Sequence, residues 1–137
     1  MIPTLCVRQP HAELIARGIK LEEIRSWPPP KILERRRVLI VASRSWSYGA
    51  RDLMAKYKLT EADCPRGVAV CTVRVLGAQK TDHGYCEEAC CDVTDFDLAW
   101  GLEGAKRTPN VPIAGRLMVF QPTEAELAAL RAAKVIR

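Results

Sequence analysis

The chain has 137 residues, 48% of them hydrophobic, and a formal net charge of +5 at neutral pH. That length suits a single domain spanning residues 1–137, and the apolar content supports a core without disulfides or a structural metal. No apolar run approaches the roughly 18 residues of a membrane-spanning helix, and Met1-Ile2-Pro3-Thr4 lacks the charged start and apolar block of a secretory signal. The expectation is no membrane and a cytoplasmic location, or a nuclear one in a host with a nucleus.

The chain opens with a strand-like run, Thr4 to Val7. Pro10 suits the first turn of a helix, where its missing N–H costs nothing. His11 to Arg17 continues that helix with Leu14 and Ile15 inward, and Gly18 is its natural stop because glycine adopts the left-handed conformation of helix ends. Ile24 to Trp27 reads as extended, and Pro28-Pro29-Pro30 excludes both helix and central strand. Arg36 to Ser43 is a strand centred on Val38-Leu39-Ile40-Val41. Tyr48 to Leu59 predicts a helix with a Leu53, Met54 and Tyr57 stripe, and Gly67 to Ala78 a long strand buried on both faces. Thr81 to Asp95, acidic and Cys-rich, reads as a loop. Phe96 to Leu102 and Arg116 to Phe120 read as two more strands, separated by a Pro-containing turn. Thr123 and Glu126 form a capping box for a final helix with Leu127, Leu130 and Ala133 on one face. Strands separated by only a few helices indicate a mixed sheet or small barrel, not a regular βαβ series.

Charge is unevenly spread. Residues 1–67 hold 13 Lys/Arg against 7 Asp/Glu, and residues 68–137 hold 8 against 9. Such asymmetry is an electrostatic footprint for a polyanion, although a solvated basic surface has the same composition. The densest run is Arg35-Arg36-Arg37, with Lys31 before it and Arg44 after. It either pairs with phosphates, in contacts that weaken with salt, or is a solvated turn. Trp27 and Trp46 flank the run and either stack on bases or pack in the core. Lys31, Arg35, Arg36, Arg37 and Trp46 make up the candidate nucleic-acid patch.

The most informative stretch is Gly18 to Arg25. Lys20 follows the helix stop, and Glu23 and Arg25, two apart on an extended segment, share one face. The three form a charged patch with Lys20 at its rim. A lysine beside a carboxylate can act as base or nucleophile in a buried site, with the carboxylate holding a water or taking a proton. Lys20 and Glu23 are therefore the catalytic candidates. The same cluster is equally a charge-balanced binding site.

Gly18, Lys20, Glu23 and Arg25 match a Gly-x-Lys-x-x-Glu-x-Arg pattern and resemble the signature of the ASCH domains (activating-signal-cointegrator homology). The likeness extends to Arg8-Gln9-Pro10 before the first helix, to Arg25-Ser26-Trp27-Pro28, to the strand ending at Ser43, to Pro65-Arg66-Gly67, and to Ala99-Trp100, so that it covers about residues 4 to 120. It implies an α+β fold, a small, mostly antiparallel β-barrel similar to the PUA fold, with about three flanking helices. It also implies a cleft where the signature residues converge, with Lys20, Glu23, Arg25, Ser26, Trp27, Ser43 and Arg44 as candidate ligand contacts. In the family such a cleft is proposed to bind RNA. The expected partner is RNA or single-stranded nucleic acid, or a nucleoside. Some members resemble amidohydrolases of N4-acetylcytidine, others ribonucleases, and a coactivator-type protein-interaction module is a third alternative. The acetylcytidine-type enzymes use a Lys, a Thr and a Glu from a later strand. Here Lys20 matches, Glu23 stands at the Thr position, and the Gly67 to Ala78 strand holds no Glu. His11 stands where many relatives have Trp, and Val41 where many have His.

Six cysteines are present: Cys6, Cys64, Cys71, Cys86, Cys90 and Cys91. Cys6 and Cys71 fall within strand runs, where Cys behaves as a small hydrophobe. His83, Cys86, Cys90 and Cys91 lack the paired short spacings of zinc sites. No metal and no cofactor are expected. His11, on a short helix, reads as a packed or capping residue.

Overall fold

The computed structural model describes residues 2–137. In chain order its elements are β1 (Thr4–Gln9), α1 (His11–Ala16), β2 (Glu22–Arg25), β3 (Arg37–Trp46), α2 (Ala50–Lys56), β4 (Ala69–Lys80), β5 (Gly84–Cys86), β6 (Cys91–Val93), β7 (Leu98–Arg107), β8 (Val119–Phe120) and α3 (Glu124–Ala132). Short 3-10 turns occur at Lys31–Leu33 and Glu61–Asp63. Six strands form one sheet in the order β2-β7-β4-β3-β1-β8. β1 and β3 are parallel, and the other neighbours are antiparallel. β5 and β6 form a separate hairpin inside the stretch that the sequence suggests is a loop.

Period-two alternation explains the uninterrupted apolar run of β3. Val38, Ile40 and Ala42 pack with Ala12 and Ile15 of α1 on one face. Leu39 and Val41 pack with Leu127 and Leu130 of α3 on the other. A sheet covered on both faces needs apolar residues at every position. β4 follows this logic only from Ala69 to Val73; beyond Arg74 it projects into solvent, with Leu76 62% exposed. The two-faced burial expected for Gly67 to Ala78 therefore holds for its first half.

Local signals placed the helix ends. The Pro10 carbonyl accepts the first helical bond, from Leu14 N. Gly18 takes φ +74°, and the Leu14 carbonyl accepts from the N–H groups of both Ile19 and Lys20. Thr123 and Glu126 form the expected capping box at α3. α2 is shorter than the predicted helix and has no fully buried residue, but Leu53, Met54 and Tyr57 do pack against a cluster of Leu14, Leu59, Cys64 and Cys90. Beneath α1 lies a polar clamp. Buried Glu13 receives the Arg17 guanidinium at 2.7 Å and both Arg107 Nη atoms at 2.7 and 3.1 Å. Among the described residues no helix is long and apolar enough to cross a membrane.

The expected barrel does not close: β2 and β8 are free sheet edges. β8 has two residues and pairs only with Thr4 and Leu5, so among the described residues the edge of β1 from Cys6 onward has no strand partner. Arg25 of β2 takes that place, donating Nη2 to the Cys6 carbonyl at 3.0 Å. In a flat sheet β2 and β1 would lie about 19 Å apart at ~4.8 Å per strand, beyond the reach of an Arg side chain. The sheet is therefore strongly curled, and a side chain, not a backbone ladder, spans the gap.

Candidate functional site

The gap between β2 and β1 is the candidate site. The stop of α1 delivers Lys20, 2% exposed, to its floor. Lys20 Nζ donates to the Ala89 carbonyl in the β5–β6 turn and lies 3.7 Å from Glu23 Oε1. The same turn holds the start of β2, because the Glu88 carbonyl accepts from Leu21 N at 2.7 Å and Glu22 N at 3.0 Å. Glu23 and Arg25 share one face of β2, as their spacing predicts. Arg25 Nη2 and Nε lie 2.8 and 3.0 Å from Glu23 Oε2. A single buried carboxylate thus sits between two cations.

A cavity of about 630 Å³ opens over this cluster. Its charged lining is Arg8, Lys20, Arg25, Arg44 and Arg116 against the single carboxylate Glu23. Because β1 and β3 run parallel, their C-terminal ends meet at one end of the sheet, which brings Arg8 beside Ser43 and Arg44. Gly115 to Met118 make the facing wall. That wall approaches β1 closely: a Cβ on Gly115 would stand 2.7 Å from Cys6 Sγ, so any other residue there would force the Cys6 side chain to shift. β4 contributes no residue to the lining.

His11, the first residue of α1, also lines the cavity. Burial, aided by the charge of Lys20 and opposed by Glu23, lowers its pKa to about 4, so its imidazole is neutral at pH 7. Among the described residues, His11 Nδ1 and Ser47 Oγ are buried without a hydrogen-bond partner, and Ser47 lines the same cavity. Unpartnered buried polar atoms carry a desolvation cost that a bound ligand or water relieves. Cys91 lines the cavity too, its thiol pushed upward mainly by burial.

Of the sequence candidates, Lys20, Glu23, Arg25, Ser43 and Arg44 come together around the cavity. Ser26 is exposed and Trp27 half-buried, and neither lines it. Trp27 packs edge-on against Trp100, with ring centroids 4.8 Å apart at 86°, and its carbonyl accepts from Trp100 Nε1 at 3.0 Å. Trp46 packs against the α2 cluster with the Arg66 guanidinium 4.8 Å above its ring. Lys31, Arg35 and Arg36 are exposed. Arg37 is committed to the fold: Nε and Nη2 donate to Thr72 Oγ1 and the Thr72 carbonyl, both at 2.9 Å, and Nη2 also donates to the Gly104 carbonyl. Arg37 begins β3 while Ser43 and Arg44 lie near its end, roughly 20 Å along the strand. The basic run and the cleft are therefore separate surfaces.

The cysteine loop also disperses. Cys90 is buried under α2, Cys91 faces the cleft, and the Cys86 thiol donates to Glu22 Oε1 at 3.3 Å. Exposed His83 and half-buried Cys86 line a second cavity of about 430 Å³, which is rich in carboxylates. The residues that sequence reasoning missed at the cleft are Arg8, His11, Ser47, Cys91 and the Gly115 to Met118 wall. Arg8 and His11 flank the Gln9-Pro10 lead-in to α1, a usable signal; the wall has no local signature.

An open, curled sheet with a cation-lined cleft beside its edge defines an α+β domain. The chain belongs to the ASCH domain family, whose model matches residues 5–107. Its fold is similar to the crystal structure of ASCH from Zymomonas mobilis, with a TM-score of 0.63 at 14% identity, covering 95% of this chain and 93% of that one. The S128A mutant of the Zymomonas mobilis protein superposes with a TM-score of 0.58 at 12% identity, covering 95% and 94%. No curated protein matches the chain.

Proposed function

We propose that the chain binds single-stranded RNA and holds one nucleotide unit in the cleft. The observation that carries this reading is the convergence of five cations and one carboxylate on a single cavity. Guanidinium groups are suited to phosphate, which they bind in a bidentate fork. The cavity volume lies in the range of small-ligand sites, and membership of the family supports a nucleic-acid partner.

Hydrolysis of N4-acetylcytidine or of RNA has less support. Glu23, the single carboxylate of the lining, is already engaged by Arg25 and Lys20. No residue of β4 reaches the cavity to supply a second one. A protein-interaction role would need an acidic partner in place of the phosphates.

The test is anisotropy titration of a labelled mixed-sequence RNA oligonucleotide at several salt concentrations. Arg8→Glu combined with Arg44→Glu should weaken binding and flatten the log K against log salt slope by about 1.4, the value for two lost phosphate contacts on a single strand. Arg35→Glu combined with Arg36→Glu, remote from the cleft, should have the smaller effect. Unchanged affinity and slope in the Arg8/Arg44 variant would sink the reading. Turnover of acetylcytidine or RNA by the wild type would replace it with a hydrolase.

A further inference from the structure

We infer that Leu117 and Met118 form an apolar platform for the face of a nucleobase, while Arg8 and Arg44 take the adjoining phosphate. This deepens the proposed RNA-binding reading and rests on it. Leu117 is 92% exposed and Met118 57%, yet both line the cavity. They are adjacent apolar side chains at the lip of a pocket whose charged groups are nearly all cationic. Covering them with a flat apolar surface removes exposed hydrocarbon from water, and the unbranched thioether of Met118 adapts to the shape it meets.

The platform is held in place. Glu126 of α3 accepts Ala114 N at 2.7 Å and Arg116 Nη2 at 3.0 Å while it caps its own helix through Thr123 N at 2.8 Å. The Arg116 guanidinium lies 5.0 Å over the Phe120 ring. Cys6 Sγ leaves no room for a side chain at Gly115 without shifting. Between these anchors Met118 takes φ +59°, a left-handed conformation uncommon outside glycine. The wall therefore presents its two apolar side chains outward at the cavity although neither serves the core.

Charge and apolar surface together select the occupant. An inorganic anion satisfies Arg8 and Arg44 but leaves Leu117 and Met118 bare. A free base does the reverse. A nucleotide unit of a single strand carries both a phosphate and a planar face, and so fits both lips of the cleft.

The experiment compares two labelled octamers, one of RNA and one with the same number of phosphates but abasic, against the wild type and Leu117→Ser/Met118→Ser. Leu117→Ser alone, at the more exposed position, serves if the double variant melts early. The double variant should lose about tenfold in affinity for the RNA octamer, the effect of roughly 1.4 kcal/mol of lost apolar contact, and should bind the abasic octamer as the wild type does. Equal loss on both octamers, or no loss on either, overturns the platform while leaving the cleft reading intact. Failure of the wild type to bind either octamer overturns both. A wild-type dimer that becomes monomeric in the double variant would assign the apolar pair to a second copy of the chain and also overturn the inference.

Discussion

Arg25 Nη2 donates a 3.0 Å hydrogen bond to the Cys6 carbonyl, joining β2 to β1 across three intervening strands. The same guanidinium binds Glu23 Oε2 through Nε and Nη2. A planar fork can serve both partners; an ammonium is a point charge and cannot. Arg25→Lys should therefore keep the charge opposite Glu23 yet lose about 1.5 kcal/mol of stability, the scale of a hydrogen bond to a charged group. Arg25→Ala should lose more, because it removes one of the two cations facing buried Glu23. Urea denaturation measures both, and identical midpoints for wild type and Arg25→Lys would show that the bridge across the gap contributes nothing.

His11 ties stability to pH. Its folded pKa of about 4 lies below its ordinary 6.5, through burial and the charge of Lys20 with Glu23 opposing. Between those values the unfolded chain binds the extra proton, so stability is fully present above pH 6.5 and is lost as pH falls toward 4, by roughly 3 kcal/mol at most. His11→Gln should flatten thermal-melt profiles across that window. Glu126 loses its contribution lower, as pH falls through its folded pKa: burial opposes its charge, but the N–H groups of Thr123 and Ala114 and the Arg116 guanidinium outweigh burial and hold it below its ordinary 4.5. If the His11→Gln profile overlays that of the wild type between pH 6.5 and 4, His11 is not the titrating group.

The basic run divides by role. Arg37→Ala should destabilise the fold by about 2 kcal/mol, since its guanidinium ties β3 to Thr72 of β4 and Gly104 of β7. Arg35→Ala and Arg36→Ala, both exposed, should stay within about 0.5 kcal/mol of the wild type. Comparable losses at all three positions would contradict the assignment of Arg37 to the frame.

Much of the frame was legible because its causes are local. All six runs read as strands, those at Leu5, Ile24, Leu39, Val70, Ala99 and Met118, end in the main sheet, although the last shrinks to Val119–Phe120. The β5–β6 hairpin was hidden, since its strands have three residues each and its turn is polar and Cys-rich. The two tryptophans offered as stacking surfaces illustrate a different limit. Trp27 and Trp46 sit in sequence beside a basic run, but neighbours distant in sequence, Trp100 for one and Arg66 for the other, occupy their rings.

By itself, the sequence determined the stop of α1 at Gly18, the shared face of Glu23 and Arg25, the two-sided burial of β3 and the capping of α3. Each depends on hydrogen bonds or side-chain periodicity within a few residues. Only the tertiary structure decided that the sheet stays open, that Arg37 belongs to the frame, and that Arg8, His11 and Leu117 meet Lys20 around one cavity. The partners that settle these points are far apart in the chain: Lys20 and Ala89 are separated by 69 positions, Arg37 and Gly104 by 67, Arg37 and Thr72 by 35. Local propensity carries no information about which distant carbonyl a side chain will find; strand order and sheet curvature supply it.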